Sequence, residues 1–120
     1  PLAPLALGLC VRLTIAFLSL DFLLAHIVPD DTFYYLTIAR NVVHTGVFTF
    51  DGIAPTNGFH PLWQIVLIPI AAINLTPEAT LRLVLVLLAL IESGTIVGLH
   101  RLVGRLGGSA SAATTGAMLY

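Results

Sequence analysis

The sequence predicts an all-α membrane protein, with transmembrane helices joined by an outer loop that carries short membrane-parallel helices. Three observations carry this reading. Apolar residues make up 58% of the 120 residues and charged residues 9%, with a mean hydropathy of +1.00, well outside soluble-domain usage. The apolar residues fall into runs, of which two reach the roughly 20 residues that cross a bilayer core as helix. Between those two lies most of the turn chemistry, in VPDDTFYYLTIARNVVHTGVFTFDGIAPTNGFHPLWQ, Val28 to Gln64.

Residues 4–28 are apolar apart from Arg12, Asp21 and His26 and are read as one span. Residues 29–76 form the outer loop. Within it, TFYYLTIARNVVHTG predicts a short helix capped by Asp31 and stopped by Gly46. Its Phe33, Tyr34, Leu36, Ile38, Val42 and Val43 recur at helical spacing, the pattern of a helix lying in an interface. VFTFDGIAPTNGFHP predicts an ordered loop turning at Asp51-Gly52 and again at Pro55-Thr56-Asn57-Gly58. His60-Pro61-Leu62-Trp63 opens a second short helix. Its apolar run, Leu62 to Leu75, is about 14 residues, a length that suits a re-entrant or interfacial helix better than a crossing.

Residues 77–103 make the next span. Thr76 is the expected N-cap, Pro77 the first helical residue and Glu78 an acid in the first turn, and RLGGS supplies a glycine stop. Residues 109–120 are expected to begin a further span. The chain starts at Pro1 and stops at Tyr120 inside an apolar run, so it reads as the amino-terminal part of a longer multi-pass protein.

Arginine placement orients the chain. Arg101 and Arg105 flank the end of the long run and Arg12 lies near the start of the first, which predicts cytoplasmic positions for these ends and an external loop. All five basic residues are arginines and the net charge is −1, so no electrostatic footprint for nucleic acid is present. The single cysteine, Cys10, excludes an internal disulfide and lacks the partners of a zinc site.

The order of these parts is specific: a first span, the acidic pair Asp30-Asp31, an aromatic helix ending in ARN, a glycine, Phe50-Asp51-Gly52, TNGFHPLW and an apolar helix with LRL. It resembles the GT-C superfamily, integral membrane glycosyltransferases that take a sugar from a polyprenyl-phosphate carrier. Among them are protein mannosyltransferases, the lipid A aminoarabinose transferase and arabinofuranosyltransferases of cell envelopes. The resemblance covers most of these residues but only the amino-terminal part of such an enzyme, so the isolated piece is not expected to be active. It implies transfer to an acceptor glycan, lipid or protein on the outer face of the cell (inner) membrane, with inversion. It also implies a catalytic aspartate and two membrane-parallel helices in the first outer loop.

On that resemblance Asp30 aligns with the first acid of the family's pair, the general base. A carboxylate there can take the proton of an acceptor hydroxyl as its oxygen attacks the anomeric carbon. The structural alternative is that both aspartates cap a helix and face water. Asp31 is divided between N-cap, support for Asp30 and metal ligand; a divalent metal is the one cofactor left open, on Asp30 or Asp31.

Negative charge gathers on the leaving phosphate in such a transfer, which calls for a nearby cation. Arg40, His60 and Arg82 are the candidates. Arg82 could hold a phosphate bidentately or snorkel to the interface. His60 stands before proline, where some relatives carry a lysine that contacts the donor phosphate. Arg40 could instead pair with Asp51 or with lipid phosphate. Tyr34 and Tyr35 are expected to pack at the interface, and His26 and His44 to meet surface or headgroups.

Charges within the spans are costly unless partnered. Counting ~1.5 Å per residue from the outer ends places Asp21 ~14 Å deep, Glu92 ~20 Å and Arg12 ~27 Å. An Arg12–Glu92 pair is therefore expected, and Asp21 could meet Arg82. Gly94 and Gly98 suit close helix packing. Two rival readings are a transporter or flippase built on Asp21, Glu92 and Arg12, and a noncatalytic relative that binds polyprenyl lipid.

Overall fold

The structure is a computed structural model, and it describes residues 2–119. Six helices follow in order: α1 (Leu2–Ala16), α2 (Leu20–His26), α3 (Asp31–Thr45), α4 (Pro61–Ala72), α5 (Pro77–Arg105) and α6 (Ala110–Leu119). Among the described residues there is no strand, only one isolated antiparallel bridge between Thr49 and Pro55. The all-helical expectation therefore holds. Tyr120, the end of the expected last span, lies outside the described residues.

The expected first span, 4–28, is two helices rather than one. Phe17 and Leu18 donate their N–H groups to the carbonyls of Thr14 and Ile15 at 3.2 and 3.0 Å, tightening the end of α1. Ser19 then turns extended (φ −58°, ψ 145°), and its hydroxyl accepts from the N–H of Phe22 at 3.4 Å. A serine oxygen that can serve a new helix's first turn competes with continuation of the old one, and Asp21 completes the new start.

The helix expected over Thr32 to Gly46 is present as α3. Gly46 takes the left-handed conformation (φ 74°) and donates to Val42 O, the role glycine fills without a Cβ penalty. Its start differs from expectation. The N-cap position belongs to Asp30, not Asp31, and no side chain caps it. Instead Thr32 and Phe33 donate to the carbonyls of Pro29 and Asp30 at 3.0 and 3.1 Å, so backbone does the work expected of Asp31.

α4 runs for 12 residues with Pro61 in its first turn, too short to cross a bilayer core. α5 begins as expected: Ala79 donates to the hydroxyl of Thr76 at 3.3 Å. It ends in a Schellman closure, with Gly107 (φ 78°) donating to Gly104 O at 3.3 Å and Gly108 to Val103 O at 3.0 Å, which satisfies the orphaned carbonyls. Its 29 residues make it the helix, among those described, long and apolar enough to cross a membrane; its apolar window has hydropathy 2.1 and is 17% buried. The pieces Leu5–Ala16 and Leu20–His26 pass the same measure only if taken together as a broken span.

The chain forms two compact units. One comprises residues up to Leu18 together with those from Leu85 onward; the other is Ser19–Val84. In the first, α1 meets α6, Ala16, Ala89 and Ile96 are buried, and Arg12 pairs through Nε with Glu92 Oε2, as the cost of lone charges in an apolar setting led us to expect. Arg12 Nη1 also donates to Gly8 O at 3.4 Å.

In the second unit α4 packs along α3. Ile38 and Ala39 from α3 and Gln64, Leu67 and Ile70 from α4 are buried, while Leu62 and Ile65 on α4 stay exposed. Leu23, Val28, Leu81 and Val84 complete this core. The expected contact between Asp21 and Arg82 does not form. Arg82 is engaged by Glu78 one turn before it, through Nη2 at 2.7 Å and Nε at 3.0 Å, a partner closer along the helix than any on α2.

Candidate functional site

All five candidate residues, Asp30, Asp31, Arg40, His60 and Arg82, belong to the unit of residues 19–84. Asp30 and Asp31 open α3 and are exposed. Among the described residues neither carboxylate has a hydrogen-bond or ion-pair partner, and neither caps the helix. The amino end of a helix is a favourable place for negative charge.

α3 presents two working faces. On one, Tyr34 Oη shares a hydrogen bond with Thr56 Oγ1 at 3.0 Å and its ring lies 5.0 Å from that of Phe50. Tyr35 Oη accepts from the backbone N–H of His60 at 3.1 Å, and the two rings are nearly parallel, 6.3 Å apart. The carbonyl of Tyr35 accepts from Gln64 Nε2 at 3.1 Å. Both tyrosines therefore hold the TNGFHP segment to the helix. His60 occupies the N-cap position of α4 with no side-chain cap bond and an exposed ring.

The loop between α3 and α4 is ordered by its own polar groups. Asn41 Nδ2 donates to Thr49 O at 2.8 Å and to Phe50 O at 3.1 Å. Asp51 Oδ1 accepts from Thr49 Oγ1 (3.0 Å), Ile53 N (2.8 Å) and Ala54 N (3.0 Å), and Thr56 N–H closes the bridge onto Phe48 O at 2.8 Å. The backbone N–H groups of Ile53 and Ala54, with the Thr49 hydroxyl, hold the Asp51 carboxyl below the ordinary value of 3.8. Asp51 is thus committed to the turn and leaves Arg40 without the partner considered for it.

The other face of α3 lines a cavity of about 270 Å³ with Leu20 and Leu24 of α2 and Pro77, Glu78, Thr80 and Leu81 of α5; α3 contributes Phe33, Leu36, Thr37 and Arg40. Arg40 is exposed and has no partner among the described residues. The structure therefore separates the phosphate candidates. Arg40 faces the cavity, Arg82 is held by Glu78, which lines the same cavity, and His60 stands on the tyrosine face. Ten residues of helix put Arg40 about 15 Å along the axis from Asp30.

Sequence reading did not give Asn41 or Gln64 a role. The signal for Gln64 was present: it is a single amide at the head of an apolar run, fully buried, with Oε1 unpaired among the described residues. Among the described residues no group of three or more His, Cys, Asp or Glu side chains could hold a metal ion, so a metal on this piece would rest on the aspartate pair alone. No protein-family model, no curated protein and no solved structure matches the chain.

Proposed function

We propose that the chain is the amino-terminal part of a multi-pass membrane glycosyltransferase that moves a sugar from a polyprenyl phosphate to an acceptor on the outer face of the membrane, with Asp30 as general base. The observation that carries the proposal is the state of the acidic pair. Two adjacent carboxylates open α3 with no side-chain cap bond and no partner among the described residues, so both are free to meet an acceptor, although Asp30 holds the N-cap position and both face water as the capping alternative has them. The base deprotonates the acceptor hydroxyl while the new bond forms at the anomeric carbon and the phosphate leaves with the electron pair of the old one, giving inversion.

His60 is the preferred partner for that phosphate, as a ring N–H donor. It is docked on Tyr35, which is nearer to Asp30 along α3 than Arg40 is, and its ring stands at the amino end of α4, where the backbone also favours anions. Asp31 supports Asp30 or shares a metal with it.

The test is donor turnover by the full-length chain. Asp30→Asn should bind polyprenyl-phosphate sugar and fail to transfer it; near-normal transfer would remove the proposal.

A further inference from the structure

The cavity on the far face of α3 is not used by the proposed reaction, and its lining is that of an amphiphile site. Leu20, Leu24, Phe33, Leu36 and Leu81 give it an apolar wall. Its polar groups are few. The hydroxyl of Thr80 is bonded to Thr76 O at 3.0 Å, and the carboxylate of Glu78 is neutralised by Arg82 at 2.7 Å. What remains for a ligand is the Arg40 guanidinium and, one turn before it, the Thr37 hydroxyl, neither with a partner among the described residues. The lining thus offers hydrocarbon contact and one unneutralised positive charge.

We propose that this cavity binds an acidic phospholipid, with an acyl chain between α2 and α3 and the headgroup phosphate on Arg40. A planar guanidinium takes two phosphate oxygens at once, and Thr37 supplies a neutral donor beside it. Charge complementarity selects the occupant. A zwitterionic lipid brings its own cation to the arginine, whereas an acidic lipid does not. Asp30 lies about 15 Å along α3 from Arg40, and competition by a polyprenyl phosphate distinguishes a resident lipid from the sugar donor.

The experiment is native mass spectrometry of the full-length protein in neutral detergent, titrated with dioleoylphosphatidylglycerol, dioleoylphosphatidylcholine or inorganic phosphate. Phosphatidylglycerol should bind at least about fivefold tighter than phosphatidylcholine, the scale of one arginine against an acidic lipid. The preference should vanish in Arg40→Gln and persist in Arg40→Lys, with helix content unchanged in both; Leu36→Trp, which fills the cavity, should weaken both lipids. Equal binding of the two lipids by the unaltered protein, or a preference surviving Arg40→Gln, would overturn the proposal. So would displacement of the lipid by inorganic phosphate, or by a polyprenyl phosphate, which would make the cavity a simple anion site or the donor's own. Because no turnover is read, failure here is separate from failure of Asp30 as base.

Discussion

Arg12 on α1 and Glu92 on α5, separated by 80 positions, meet in an ion pair. Their side chains are 29% and 40% exposed within the described chain, so the surroundings decide what the pair contributes. In water it would be screened to about 0–1 kcal/mol, whereas in hydrocarbon each lone charge costs about 3 kcal/mol or more. Arg12→Leu and Glu92→Leu should each lower stability in lipid, and the double substitution should cost less than their sum by about 1–3 kcal/mol. Additive losses in a double-mutant cycle would mean that this pair stands in water.

The two aspartates should separate kinetically. Asp30→Asn retains size and hydrogen-bonding atoms but cannot accept a proton at neutral pH, so the transfer rate should fall by about two to four orders of magnitude. Asp31→Asn should do less. Rapid transfer by the first variant and none by the second would exchange their roles, and activity in both would end the catalytic reading.

Asn41 ties the loop to α3 through two carbonyls at once. Asn41→Leu leaves both without that donor and should destabilise the loop by about 1–3 kcal/mol. Amide exchange over residues 47–56 should accelerate while that of α5 stays unchanged; uniform protection would show that the amide contributes nothing.

Asp51 makes the same loop sensitive to acid. Its carboxyl is held below 3.8 by Ile53 N–H, Ala54 N–H and the Thr49 hydroxyl. A depressed carboxylate contributes stability that is fully present above the unfolded value and is lost as pH falls through the folded one. Carboxyl titration followed by NMR should give a midpoint below 3.8, and Ile53 and Ala54 amides should lose protection over the same range. A midpoint at or above the ordinary value would contradict the turn geometry.

The proposed orientation is open to chemical labelling. Ile53 is 88% exposed and Leu106 77% exposed, so cysteine at either position is accessible from its own side, once the exposed native Cys10 has been replaced by serine. An impermeant reagent added outside intact cells should label Ile53→Cys and not Leu106→Cys. The opposite pattern would invert the topology and place the aspartates on the cytoplasmic side.

What could be read from the sequence was local or costly. Gly46, Gly107 and the Thr76-Pro77 start carry conformational demands that few other residues meet, and each sits where the pattern placed it. Arg12 and Glu92 were legible because a charge in an apolar run needs a partner. The break at Ser19 was hidden because one serine barely alters the hydropathy of a long run, although it is enough to cap a new helix. The division of Arg40 and His60 between two faces of α3 depends on how the loop folds back onto Tyr34 and Tyr35, and no spacing along the chain encodes that. Asn41 and Gln64 act on backbone carbonyls whose positions exist only after folding.

The bonds that fasten the loop and α4 to α3 join residues 8, 9, 22, 25 and 29 positions apart, against 80 for Arg12 and Glu92. Closing a short stretch costs less entropy than closing a long one, and a chain made from its amino end supplies Asp31 to Gln64 well before Glu92. The segment bearing the aspartates can therefore assemble during synthesis while Arg12 still lacks its acid.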